Sequence, residues 1–127
     1  MRKFFLYYLP FILYAGLIFW VSSLSQLPDP HIKFDFIDKF AHAVEYAIFA
    51  VLILRIFMIS GPKSTKTAYL SAILISILYA VSDEYHQSFV PGRFSDIFDV
   101  IADAVGTLCG TCTYYLFTRH KNRSSES

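Results

Sequence analysis

The sequence predicts an all-α protein, a bundle of four transmembrane helices. Three observations lead there. Hydrophobic residues make up 55% of the 127 and charged residues only 17%. That is too little charge to clothe a water-facing surface, and more apolar side chain than a small core can hide. Four separate stretches reach the length of about 20 mostly apolar residues that a hydrocarbon core demands. The charges cluster between these stretches or near their ends, and the acids gather on one side. The same composition excludes a disordered chain. A formal net charge of +1 with no basic face argues against a nucleic-acid partner.

The first stretch, residues 4–24, is uncharged and follows Arg2-Lys3. It is longer than the apolar region of a signal peptide, about 7–15 residues, and no small-residue cleavage site follows, so it reads as a retained helix. The second, about 38–59, is interrupted by His42, Glu45 and Arg55. The third, about 68–89, is polar only toward its end, at Asp83-Glu84. The fourth, about 96–117, carries Asp99 and Asp103 near its start. The connections 25–37, 60–67 and 90–95 leave no room for a second domain, so residues 1–127 read as one unit ending in a polar, frayed tail at 119–127. Arg2, Lys3, Arg55, Lys63, Lys66, Arg119, Lys121 and Arg123 fall on one side of the four spans, and Lys33, Lys39 and Arg93 on the other. The excess of positive charge places both termini in the cytoplasm and loops 25–37 and 90–95 outside.

Nine of the ten acids (Asp29, Asp35, Asp38, Glu45, Asp83, Glu84, Asp96, Asp99, Asp103) belong to the outer loops or outer helix halves; Glu126 is the exception. Helical spacing puts Asp38, His42 and Glu45 on one face of the second helix. It puts Asp83 and Gln87 on one face of the third with Glu84 beside them, and Asp96, Asp99 and Asp103 on one face of the fourth. At about 1.5 Å per residue, Glu45, Asp83 and Asp103 each lie about 10 Å from the outer ends of their helices. Capping accounts for part of the pattern. Asp35 with Asp38, and Ser95 with Asp96, suit helix N-termini. Capping fails for Asp83 and Glu84, which sit at a helix C-terminus, and for Glu45 and Asp103, two turns inside. An unpaired carboxylate deep in a bilayer costs about 2.5–3.5 kcal/mol, and three would consume much of a typical stability of about 5–15 kcal/mol. They must be paired, protonated, wetted or bound to a cation. Lys39 and Arg93, even with His42 and His86 protonated, do not balance them. The expectation is an outward-facing polar pocket lined by the second, third and fourth helices.

Val90-Pro91-Gly92-Arg93 has turn chemistry and hangs Arg93 over the acids as a counter-ion or anion-binding group. Gly106 and Gly110, extended by Ala102, read as a helix-packing face. Cys109 and Cys112 lie mid-helix with no second pair for zinc, and read as packing residues. Ser22, Ser23, Ser25 and Gln26 close the first helix or line the pocket, while His31 and His120 read as solvated.

These pieces resemble the VanZ-like family of small bacterial membrane proteins, named for a teicoplanin-resistance protein. The resemblance rests on Asp38-Lys39-Phe40-Ala41-His42 with Glu45-Tyr46, on Ser82-Asp83-Glu84 with Gln87, and on Pro91-Gly92-Arg93, Ser95-Asp96 and Asp99 with Asp103 and Gly106 in line. Phe19-Trp20-Val21-Ser22-Ser23 joins them, so it spans about residues 17–110. Asp103 stands where the family pattern leads one to expect Asn. The resemblance implies a cell-envelope protein that modulates sensitivity to lipidated glycopeptides, with Tyr46 added to the pocket residues. A second class is an enzyme acting on a lipid-linked envelope precursor. His42, Glu45, Asp83, Glu84 and Asp103 supply divalent-metal ligand types or an acid–base pair, with His86 and Asp99 nearby. A third is a proton-coupled carrier, for which four helices without an inverted repeat are few. Membrane lipids are partners in every reading.

Overall fold

The computed structural model describes residues 1–25, 35–62 and 64–125. Gln26, Asp29, His31, Lys33, Lys63, Glu126 and the side chain of Asp35 lie outside them. The order is a π-helical turn Phe4–Tyr8, then α1 (Leu9–Ser22), α2 (Asp35–Ser60), α3 (Thr65–Gln87) and α4 (Ile97–Ser125), with no strand among the described residues. All four helices are long and apolar enough to cross a membrane.

The wide turn at Phe4–Tyr8 has a local cause. Pro10 has no N–H for the carbonyl of Leu6, and its ring would press on that carbonyl in a regular helix. The chain widens instead, and the N–H of Leu9 reaches back to the oxygen of Phe4. α2 begins at Asp35, one turn before the expected start, which takes Asp38 out of the cap and into the helix. α3 is capped by Ser64, whose side chain accepts the N–H of Thr67. α4 continues through Ser125, so the stretch expected as a frayed tail is helical as far as that residue. Loss of hydrophobicity marks where a helix leaves a bilayer, not where its hydrogen bonds stop.

α2 and α4 make the most extensive pairing, α3 packs on both, and α1 leans on α2 and α3 without touching α4. The close approach is made by glycine. A side-chain carbon on Gly106 would run into the carbonyl of Ala43, and one on Gly110 would come within 2.8 Å of the Cα of Ala47. The expected packing face is therefore the contact between α2 and α4. α3 contributes its own small stripe, Ala68, Ala72, Ser76 and Ala80, all buried. The apolar core lies between α1, α2 and α3, around Ile18, Tyr46, Phe49, Ile53 and Leu54.

α4 is built inside out. Its buried face is Asp99, Asp103, Gly106, Thr107, Gly110 and Thr111, while Ile97, Phe98, Ile101, Val105 and Leu108 point outward. In water that surface would be a large apolar patch; in lipid it is the expected outer face, with small and polar residues joining the helices. Cys109 and Cys112 share the outer face as free thiols. They take no part in packing the bundle, contrary to expectation, because the α4 seam is filled by glycine and threonine.

Candidate functional site

The acids assemble at one end of the bundle in two linked groups. The first joins α1 to α3. Asp83 Oδ2 accepts from Ser22 Oγ at 2.8 Å and from Gln87 Nε2 at 3.0 Å, and all three residues are buried. Gln87 is held in turn by Arg93, whose Nη1 lies 3.5 Å from its Oε1. His86 completes this face. Ser23 Oγ gives its one proton to the carbonyl of Phe19 at 2.7 Å, so the 3.0 Å contact with His86 Nε2 is an N–H donated to Ser23. The imidazole also stacks on Phe19, with ring centroids 4.6 Å apart.

The second group joins α2 to α4. Lys39 Nζ bridges Asp96 Oδ2 at 2.9 Å and Asp99 Oδ1 at 3.0 Å. The other oxygen of Asp96 accepts the N–H of Phe98 at 2.9 Å, so the residue also caps α4. The Lys39 ammonium, and then that N–H, hold the Asp96 carboxyl below its usual range. Glu84 on α3 accepts the backbone N–H of Asp96, which ties the cap to the third helix. One turn deeper, His42 Nδ1 stands 3.1 Å from Asp103 Oδ1, and both residues are buried. This leaves Nε2 as the ring nitrogen without a partner among the described residues.

Between the groups lies unmet polar capacity. The Glu45 carboxylate has no hydrogen-bond or ion-pair partner among the described residues. Glu45, Asp83 and Asp103, from three helices, all lie within electrostatic reach of the Tyr46 hydroxyl, in keeping with their similar expected depth. That hydroxyl and Thr107 Oγ1 are fully buried and unpartnered among the described residues, at about 1–3 kcal/mol each for an unsatisfied polar atom. The arrangement suits a polar or cationic guest.

The structure gives several of the expected site residues definite partners. Arg93 makes no ion pair with the acids among the described residues, although Glu45 lies within its electrostatic reach. The guanidinium donates to the carbonyls of Val21 at 2.9 Å and Leu24 at 3.2 Å, so it closes the C-terminus of α1, where a cation suits the helix dipole. Its position follows from the turn before it. Arg93 N–H bonds to Val90 O at 3.1 Å, and Gly92 has φ 81°, a type II turn with proline and glycine in their required places. Of the ligand types named from the sequence, the structure groups His42 and Asp99, together with Asp38. Among the described residues the group is Asp38, His42 and Asp99, with one atom of each within 4.8 Å of the others; Glu45, Asp83, Glu84 and Asp103 stand outside it. Finally, His86 is engaged with α1. Sequence reasoning left Lys39 and Thr107 out of the pocket set, and named Ser22 only as a cap or a lining residue. Lys39 lies three residues before His42 and Thr107 four after Asp103, so the same helical stripe would have found both. Which partner Ser22 takes, Asp83, needed knowledge of how α1 packs on α3.

The family model for VanZ/LLP1 matches residues 5–118, nearly the whole chain, and the protein belongs to that family. No curated protein matches it, and no solved structure does.

Proposed function

For this VanZ/LLP1 chain we propose the role of an integral protein of the bacterial cell membrane that lowers sensitivity to lipoglycopeptide antibiotics of the teicoplanin type. In this reading both termini are cytoplasmic, by the distribution of lysine and arginine, and the acidic site faces outward. A guest from the outer leaflet, a lipidated glycopeptide or a lipid-linked envelope precursor, would set its polar or cationic head against the acids. The observation that carries the reading is the charge imbalance. Seven carboxylates, at Asp38, Glu45, Asp83, Glu84, Asp96, Asp99 and Asp103, meet two permanent cations, Lys39 and Arg93, and Arg93 gives its hydrogen bonds to α1 and Gln87 rather than to a carboxylate. Intramembrane ionisable groups left in this state mark functional sites.

The test is expression of wild type, Glu84→Gln and Glu45→Gln at equal levels in a glycopeptide-susceptible Gram-positive host, with teicoplanin and vancomycin sensitivity as the readout. Wild-type protection against teicoplanin that Glu45→Gln abolishes is the expected result. Glu45 is the cleaner of the two substitutions, because its carboxylate makes no bond that the change would break. Absence of protection from well-expressed wild type overturns the reading.

A specific observation favours a second reading, an enzyme acting on a lipid-linked envelope substrate. An imidazole whose Nδ1 rests on a buried carboxylate, with Nε2 unpartnered, is the arrangement of a general base or of a metal ligand. Asp38 and Asp99 lie in ligand range of that ring. Elemental analysis of purified protein discriminates: a stoichiometric divalent metal lost in His42→Gln supports the metalloenzyme, and its absence removes that form of it.

A further inference from the structure

The opposite end of the bundle carries a cavity of about 520 Å³ between the last turns of α2, the first turns of α3 and the end of α4. Its size is within the range of small-ligand sites, about 300–1,000 Å³. Tyr69 and Tyr115 line it with their rings edge to face, centroids 6.1 Å apart. Arg119 and Arg123 line it too, with Asn122 between them. The two arginines are one helical turn apart and so share a face. Among the described residues neither guanidinium has an ion-pair or hydrogen-bond partner and no acid lines the cavity.

Depth identifies the occupant. α4 is 29 residues long, about 43 Å at 1.5 Å per residue, against a hydrocarbon core of about 30 Å. Measured from Asp96 at the acidic end, α4 has crossed that core by about residue 117. Arg119 and Arg123 then stand in the headgroup layer, and Tyr115 lies at its edge, where tyrosines concentrate. A guanidinium pair at that level matches a phosphate in charge and in fork geometry.

We propose that this cavity is a binding site for the headgroup of an anionic phospholipid, held by Arg119 and Arg123 with the tyrosines flanking the glycerol. The site is separate from the acidic one and does not depend on what that end does. It requires a net negative headgroup, because a zwitterionic lipid brings its own cation to the same phosphate.

The test is native mass spectrometry of detergent-purified full-length protein in equimolar phosphatidylglycerol and phosphatidylcholine of identical acyl chains. Wild type is expected to retain phosphatidylglycerol preferentially. Arg119→Gln with Arg123→Gln should lose that preference by about fivefold per arginine, with thermal stability in phosphatidylcholine unchanged. Lys66→Gln, at the same end but outside the cavity, should keep it. Equal retention of the two lipids by wild type overturns the proposal. So does a preference that survives in the double variant, or one that Lys66→Gln lowers as far as the arginine pair does.

Discussion

The two ends of this bundle treat charge in opposite ways. At the acidic end most of the charges are drawn inward and committed to partners, Lys39 to Asp96 and Asp99, His42 to Asp103, and Ser22 and Gln87 to Asp83, while Glu45 is left without one among the described residues. At the basic end Arg119 and Arg123 stay exposed on the last turns of α4, above an aromatic wall. Burial forces a charge to find its counterpart within the protein, so the acidic end holds the helices to one another. Exposure at the membrane edge imposes no such demand, and the basic end keeps its hydrogen-bonding capacity for molecules outside the bundle.

The contrast can be broken most completely at Gly106. Gly106→Val drives a side chain into the backbone of Ala43, and neither backbone can give way. α2 and α4 should separate, taking the His42–Asp103 and Lys39–Asp99 contacts with them; the expected outcome is no monodisperse protein on size exclusion in detergent. Next comes Asp103→Ala, which leaves His42 without its buried counterpart. Loss of one partner of a buried pair costs about 3–5 kcal/mol, read as a large fall in thermal midpoint. Arg123→Gln, by contrast, should change stability by less than about 0.5 kcal/mol; equal losses in the two would erase the distinction between the ends. Ser22→Ala removes one hydrogen bond to Asp83, about 0.6 kcal/mol for an interhelical bond within a membrane, and should lower the midpoint slightly.

The smallest effect is one of pH. Because Asp96 titrates below its usual range when folded, its contact with Lys39 adds stability above the unfolded carboxylate pKa and loses it as pH falls through the lowered value. Acid unfolding should therefore begin at a slightly different pH in Asp96→Asn, which lacks this contribution. Superimposable acid limbs for the two proteins would show that the exposed bridge contributes nothing measurable.

Much of the fold was legible in the sequence, because lipid is a strict solvent. Four apolar stretches of the right length allow few arrangements, and Gly106 with Gly110 already marked a close helix contact. The faces of the site were legible too, since a spacing such as Asp38, His42 and Glu45 fixes a stripe without any tertiary knowledge. What the sequence hid was which stripe meets which. Arg93 is drawn to acids by charge alone, yet the carbonyls at the end of α1 lie nearer once α1 packs against α3. Helix ends were misplaced for a different reason. Hydropathy reports the boundary of the bilayer, and α4 passes through that boundary without breaking a hydrogen bond.

The grip of Arg93 on α1 carries a consequence for how the protein is made. α1 leaves the ribosome first, yet the donors that satisfy Val21 O and Leu24 O lie 72 and 69 residues later, and the Asp83 that receives Ser22 lies 61 residues later. At about 5–20 residues per second, synthesis takes about 4–14 s to reach Arg93 from Val21. Until α2 brings the carbonyl that Tyr14 bonds, α1 stands in the membrane as a nearly featureless apolar rod, held by little beyond its own hydrophobicity. Its C-terminal end is fixed only when the loop between α3 and α4 emerges, after the helices it packs against have been made.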